Sequence, residues 1–328
     1  MTEKKRILSG MRPTGPLHIG NFQGALANWI SMQEQYDCFF FIADWHALTS
    51  NYEDTGSIPE YIQDMMIDWL SSGLSPDKST LFVQSQIKEH AELFLILSMI
   101  TPVPWLERNP TYKDQIVQMS NKDLSTFGFL GYPVLQAADI IMYKANGVPV
   151  GVDQVPHVEI TREIARRFNY VYGKVFPEPE VVLTKTPKIL GMDRRKMSKS
   201  YNNAIYLSDE PDEMAAKVSR MITDPSRARK SDPGDPGVCN VFEFHRLYSN
   251  GETVDKTDNA CRTARIGCVE CKKTMAQNLI RAFEPVREKR KYYQAHSGLI
   301  DDIILSGCDK ARKIAQQTMA EVRSVIKI

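Results

Sequence analysis

Over the first two hundred residues, short β-rich runs alternate with longer helical periods, which is the pattern of a parallel sheet wrapped by helices. The runs are Arg6 to Ser9, Cys38 to Ala43, Thr80 to Gln84 and Val148 to Val152. Helices are expected from Ile19 to about Gln35, Glu89 to Ile100, Tyr132 to Lys144 and Val155 to Phe168. The most regular period is Ile58, Tyr61, Ile62, Met65, Met66, Trp69 and Leu70, one apolar helix face that Gly73 terminates.

After Phe176 the pattern changes. A loop with Pro177, Pro179 and Pro187 leads to the basic stretch Asp193 to Lys199, and from Ser208 onward helical periods follow one another without strands. Ser208 is expected to cap a helix with Asp209, Glu210, Asp212 and Glu213 in its first turn and Met214, Val218, Met221 and Ile222 on its apolar stripe. The chain therefore reads as an α/β domain followed by an all-helical one, and 328 residues suffice for both. Apolar runs such as Cys38 to Ala43 fall far short of the roughly 20 residues that span a bilayer. The N-terminus also lacks the apolar stretch of a signal peptide, so a cytoplasmic location without membrane attachment is expected. With 41 basic side chains against 40 acidic ones, bulk attraction for a polyanion is excluded. Residues 261 to 292 nevertheless hold nine basic side chains and three acidic ones. That excess suits a polyanionic partner or a solvated helix face.

Two stretches carry chemistry. Ser9-Gly10-Met11-Arg12-Pro13-Thr14-Gly15-Pro16-Leu17-His18-Ile19-Gly20-Asn21 joins a strand to a helix. Its glycines permit close backbone approach, and the helix start offers N–H groups to a phosphate, with His18 and Asn21 as further donors. An ordinary strand-to-helix turn reads the same way. In the second stretch, Gly191 to Ser200, Lys196 and Lys199 flank Ser198 in a loop that can close over a polyphosphate and neutralise charge moving onto a leaving group. A merely solvated basic loop is the plainer alternative. Taken together, His18-Ile-Gly-Asn21 and Lys196-Met-Ser-Lys-Ser200 resemble the two signatures of class I aminoacyl-tRNA synthetases.

Between them, Tyr132-Pro-Val-Leu-Gln-Ala-Ala-Asp139-Ile-Ile-Met-Tyr143, Val148-Pro-Val-Gly-Val-Asp153-Gln154 and His157-Val-Glu-Ile-Thr-Arg162 resemble the amino-acid pocket of bacterial tryptophanyl-tRNA synthetases. The similarity runs from Ile7 to about Asn203 and resumes from Lys272 to Arg290. It implies a Rossmann-type catalytic domain over residues 1–204, a helical tRNA anticodon-binding domain over 205–302, and a C-terminal segment 303–328 whose helix, Ala311 to Val325, packs back on the first. It further implies a homodimer that activates L-tryptophan with ATP and transfers it to the 2′-OH of the terminal adenosine of tRNA(Trp), with Mg2+ bridging the phosphates.

By the same resemblance His18, Asn21, Lys196, Ser198 and Lys199 are the catalytic set. ATP contacts fall on Arg12, Pro13, Thr14, Gly20, Asn21, Gly151, Val152, Asp153, Ile189, Lys196, Met197, Ser198, Lys199 and Ser200. Tyr132 and Gln154 match residues that hold the substrate amino group. Asp139 also has a physical reading, because an indole carries a single polar group, an N–H donor, and needs an acceptor in an otherwise apolar hole. A buried carboxylate demands a partner, and a backbone amide or an arginine elsewhere would serve as well. Lys113 matches a basic position in the family, whereas Gln115 stands where a second lysine is usual.

Six cysteines in a reducing compartment argue against disulfides. Cys38 opens an apolar strand and reads as a core thiol. Cys239, Cys261, Cys268 and Cys271, ending in C-x2-C, can surround zinc or an iron–sulfur cluster, or remain unliganded. They resemble the set that holds a [4Fe-4S] cluster in some bacterial tryptophanyl-tRNA synthetases, where the centre would brace the anticodon-reading surface. Two other readings remain: a tyrosyl-tRNA synthetase, which shares the fold and both signatures, and a non-catalytic paralogue that senses tryptophan or binds RNA.

Overall fold

The computed structural model describes residues 4–118, 123–184 and 189–328, without the side chains of residues 115, 117 and 118. Five strands, β1 (Arg6–Met11), β2 (Asp37–Ile42), β3 (Ser79–Val83), β4 (Gly147–Val150) and β5 (Glu180–Leu183), form one parallel sheet in the order β3-β2-β1-β4-β5. β2 carries the apolar run Cys38 to Ile42 buried throughout, as a strand covered on both faces requires. Phe40 stacks on Trp29 at 4.6 Å, and Trp29 meets Trp69 edge-on at 5.2 Å. Four strands lie where the sequence places them. β5 does not announce itself, because it is an edge strand whose two ends, Glu180 and Leu183, are exposed.

The helices follow the expected periods with shifted ends. Ile58–Ser72 stops at Gly73, whose φ of 118° is in the left-handed region. Phe127–Met142 starts five residues before the period suggests, because Thr126 accepts a hydrogen bond from the Phe129 N–H and caps it. The expected cap at Ser208 is corrected: the helix is Pro211–Ser219 with Glu210 before it. Asp209 is instead buried, accepting from the Tyr206 N–H and from Lys217 Nζ at 2.7 Å on each oxygen, so it is an internal ion pair and not a first-turn acid.

Contacts divide the chain into two compact units, one of residues 1–15, 28–185 and 296–328 and one of 16–27 and 186–295. Residues 16–27 and 186–204 thus group with the second unit, where the sequence alone draws the boundary after 204. The first unit contains the sheet and the last helix, Ser297–Ile326. That helix lies so close to β3 that a Cβ on Gly307 would stand 1.7 Å from the Leu81 carbonyl oxygen. The second unit contains Pro211–Ser219, Asn240–Tyr248, Gly251–Arg262 and Cys268–Ala295. Among the described residues no helix is long and apolar enough to cross a membrane.

Candidate active site

Strand order reverses between β1 and β4, and the crevice beyond the carboxyl ends of such strands is where open α/β sheets take their ligands. β1 ends in Arg12-Pro13-Thr14, with Arg12 exposed and its Nη1 3.5 Å from Ser50 Oγ. β4 ends in Gly151 and the single turn Val152–Gln154, all three of whose side chains are exposed. Lys113 is exposed as well, and the Gln115 side chain lies outside the described residues.

The neighbouring strands deliver a buried polar network. β2 runs into the helix Asp44–Asn51, carrying His46; β3 runs into Gln84 and then the helix Glu89–Ser98, carrying His90. Both converge on Asp139 of the helix Phe127–Met142. Its Oδ2 lies 2.7 Å from His46 Nε2 and its Oδ1 2.5 Å from His90 Nδ1, while Gln84 Nε2 donates to both oxygens at 2.8 and 3.0 Å. Asp139 is wholly buried, yet its partners are two imidazoles and an amide, not the backbone amide or arginine that sequence reasoning offered. Burial alone would raise its pKa, but the His46 and His90 hydrogen bonds outweigh burial and hold the carboxyl below its ordinary value. The group is therefore a carboxylate.

Behind His90, the Tyr143 hydroxyl stands 2.7 Å from Nε2. Burial raises the Tyr143 pKa well above its ordinary value, so the phenol stays protonated and donates. An Nε2 that accepts leaves the ring proton on Nδ1, facing Asp139. Gln84 Oε1, by contrast, is buried without a hydrogen-bond partner. Tyr132 packs between Phe129 and His157, each ring centroid 5.5 Å away, with its hydroxyl 3.5 Å from His157 Nε2. Burial, then the nearby His46, lowers the His157 pKa to about 4. Gln154 stands exposed just before the helix Val155–Tyr172 that carries His157.

The second unit gathers the two signature stretches. His18 caps the turn Ile19–Asn21: its Nδ1 accepts the Asn21 N–H at 3.2 Å, and Asn21 Oδ1 accepts the His18 N–H at 3.1 Å. Backbone bonds from Ile19 to Ile205 and from Leu207 to Leu17 tie this segment to the chain just after the lysine stretch. A Cβ on Gly20 would crowd His18 Nδ1 at 2.9 Å and stand 3.4 Å from Met197 Cβ. Burial first, then the ammonium groups of Lys199 and Lys196, lowers the His18 pKa to about 4. The imidazole is therefore neutral near pH 7, and with Nδ1 accepting, its proton sits on Nε2 as a donor.

The lysine stretch is a tight reversal, with Leu190 bridged to Lys196 and the Met197 N–H on the Ile189 carbonyl. Asn203 braces it, accepting the Ser198 N–H at 2.8 Å and donating to Asp193 and the Lys196 carbonyl. Gly191 is needed there, since a Cβ would meet Asn203 at 2.3 Å. Lys199 opens the turn Lys199–Tyr201, with Ser200 exposed. The ammonium groups of Lys199 and Lys196 thus act electrostatically on His18.

A family model described as class I tRNA synthetases (W and Y) matches residues 1–284. The chain belongs to this synthetase family. A tryptophan–tRNA ligase of Thermotoga maritima is 52% identical, covering 98% of this chain and 99% of that protein. One of Aquifex aeolicus is 46% identical over 98% of this chain and all of its own length. Among solved structures, the tryptophanyl-tRNA synthetase of Campylobacter jejuni complexed with ADP and tryptophan superposes with a TM-score of 0.90 at 34% identity, covering 98% of this chain and 100% of that one.

In this synthetase the four spaced cysteines also share a neighbourhood. Burial first, then the charges of Cys239, Cys261 and Cys268, pushes the Cys271 thiol up to about 12. Arg227 Nη1 reaches Cys261 Sγ at 3.7 Å, and His245 Nε2 lies 3.5 Å from Cys271 Sγ. Among the described residues no group of three His, Cys, Asp or Glu is arranged to hold a metal ion. Sequence reasoning missed His46, Gln84 and His90, and gave Tyr143, the last residue of the pocket stretch, no role of its own. For the first three the available signal was position: polar residues just past the carboxyl ends of two adjacent parallel strands, where ligands gather.

Proposed function

We infer that this synthetase is a tryptophan–tRNA ligase. It activates L-tryptophan with ATP to the adenylate, releasing pyrophosphate, and transfers tryptophan to the 2′-OH of the terminal adenosine of tRNA(Trp). The observation that carries this reading is the near-full-length likeness, 46% and 52% identity over 98% of this chain, to the two tryptophan–tRNA ligases, joined to the capped His18 turn and the braced Lys196–Ser200 stretch. No enzyme nucleophile is needed, because the tryptophan carboxylate attacks the α-phosphorus and catalysis is positioning plus charge stabilisation. His18 Nε2–H, the Asn21 side-chain amide, Lys196, Ser198 and Lys199 are assigned to phosphate oxygens as charge moves to pyrophosphate. Arg12, Pro13, Thr14, Gly20, Gly151, Val152, Asp153, Ile189, Met197 and Ser200 are assigned to ATP by the family motifs. Mg2+, if bound with the nucleotide, would supply charge neutralisation on the phosphates.

Asp139 is assigned to the indole N–H, with Tyr132 and Gln154 on the amino group. Gln84 is the donor most readily exchanged for an indole, because its other polar end already lacks a partner. A tyrosyl specificity fits less well, since a phenol needs a donor as well as an acceptor. The test is adenylate formation by purified protein from tryptophan and ATP without tRNA. Turnover supports the enzyme, and tryptophan binding without turnover favours a sensor.

The same proposal includes a homodimer, a cytoplasmic location, tRNA anticodon binding by the helical segment 205–302, and a [4Fe-4S] centre on Cys239, Cys261, Cys268 and Cys271, with Zn2+ as the alternative. Arg227, which reaches Cys261 Sγ at 3.7 Å and would compensate the negative charge of a liganding thiolate, supports the cysteine set. Such a centre would supply structural cross-linking beside the basic helix. A Cys268→Ser variant with unchanged metal content would discard it, and an anaerobic visible spectrum separates cluster from zinc.

A further inference from the structure

The network around Asp139 contains one histidine that has no surface of its own. His90 is completely buried, and both of its ring nitrogens are engaged, Nδ1 on Asp139 Oδ1 at 2.5 Å and Nε2 on the Tyr143 hydroxyl at 2.7 Å. A ring held at both ends has one tautomer and one orientation, the arrangement by which an outer partner fixes a working group. Asp139, Tyr143 and His90 also lie on separate turns and helices of one unit, Asp139 and Tyr143 four residues apart on the helix face that the Glu89–Ser98 helix packs against. A buried histidine bridging a carboxylate and a phenol is a costly way to fill a core, where leucine or phenylalanine would need no partners.

We propose that His90 is a positioning residue for tryptophan recognition: locked by Tyr143, it donates through Nδ1–H to Asp139 and holds the carboxylate in the one orientation that accepts an indole N–H. The proposal rests on the assignment of Asp139 to the indole. His90 and Tyr143 are thereby specificity residues that never touch the substrate. Their contribution is made equally in the ground state and in the transition state, because the indole is remote from the reacting phosphorus. It therefore appears in KM and leaves kcat nearly unchanged.

The experiment compares pyrophosphate exchange with L-tryptophan and with β-(3-benzothienyl)-L-alanine, an isostere in which sulfur replaces the N–H. His90→Phe is expected to raise KM for tryptophan about 10- to 100-fold, the effect of losing a hydrogen bond to a charged group, while KM for the isostere moves little. Tyr143→Phe removes only one hydroxyl, so folding is preserved, and a rise of about 3- to 10-fold for tryptophan alone is expected. His90→Asn, whose amide nitrogen can occupy the position of Nδ1, should recover most of the discrimination lost in His90→Phe. Equal changes for both amino acids in Tyr143→Phe, or a loss confined to kcat, would overturn the proposal. Asp139→Asn separates the layers: if it leaves discrimination between the two amino acids intact, the indole assignment itself fails. If it abolishes discrimination while the His90 and Tyr143 variants retain it, only the positioning role fails.

Discussion

His18 does two jobs with one ring, capping a turn through Nδ1 and carrying its donor proton on Nε2, and the first requires it to be neutral. Folding lowers the His18 pKa, and that of His157, from an ordinary value of 6.5 to about 4. The unfolded chain therefore binds protons that the folded chain refuses. Stability from these two groups is complete above about pH 6.5 and is lost as pH falls towards 4, by on the order of 2–3 kcal/mol each. Asp139 has the same sign in a more acid window, because its lowered pKa keeps its contribution intact until acid reaches the carboxylate range. Denaturant midpoints should fall for the natural chain as pH is lowered from 7.5 to 4.5, and His18→Asn, whose side-chain oxygen can replace Nδ1 as the cap acceptor, should flatten part of that slope. The motif around His18 is legible in sequence. Its capping role is not, because histidine is not among the usual caps.

At the scale of elements, the last helix shows what periodicity can and cannot give. Ala311, Ala315, Met319 and Val322 mark one buried face, so the helix from Ala311 is readable. Its start at Ser297 is not, because Gly298 and Gly307 read as breakers. Gly307 is there to let the helix approach β3. Gly307→Ala is expected to cost at least 1–3 kcal/mol through overpacking, despite alanine's better helix propensity, and to lower Tm by several degrees in calorimetry. The surface pairs Arg323–Glu92 and Lys144–Glu321 add little by comparison, so Arg323→Ala should shift stability by less than about 1 kcal/mol. β5 and the polar network were illegible for a shared reason: an exposed edge and a tertiary convergence of distant residues leave no local period.

Across the whole molecule, charge counting overstates the basic surface. Of the nine basic residues between 261 and 292, Arg287 and Arg290 are buried, Arg287 donating to the Ile280 carbonyl. Lys272 is tied to the Ser219 carbonyl and Arg262 to Asp258. Arg265, Lys273, Arg281, Lys289 and Lys291 remain exposed, Lys291 beside Glu210. Replacing Lys273, Arg281 and Lys289 by glutamine should reduce the salt dependence of tRNA binding by about 2–3 in the log–log slope, with adenylate formation unchanged.

The reading of the two signatures and of the indole pocket meets in tryptophan-dependent pyrophosphate exchange by the purified chain. Exchange is expected with L-tryptophan and not with L-tyrosine, and Lys199→Ala should lower its kcat about 100-fold or more. Exchange driven equally well by tyrosine, or unaffected by loss of the Lys199 ammonium, would contradict the account.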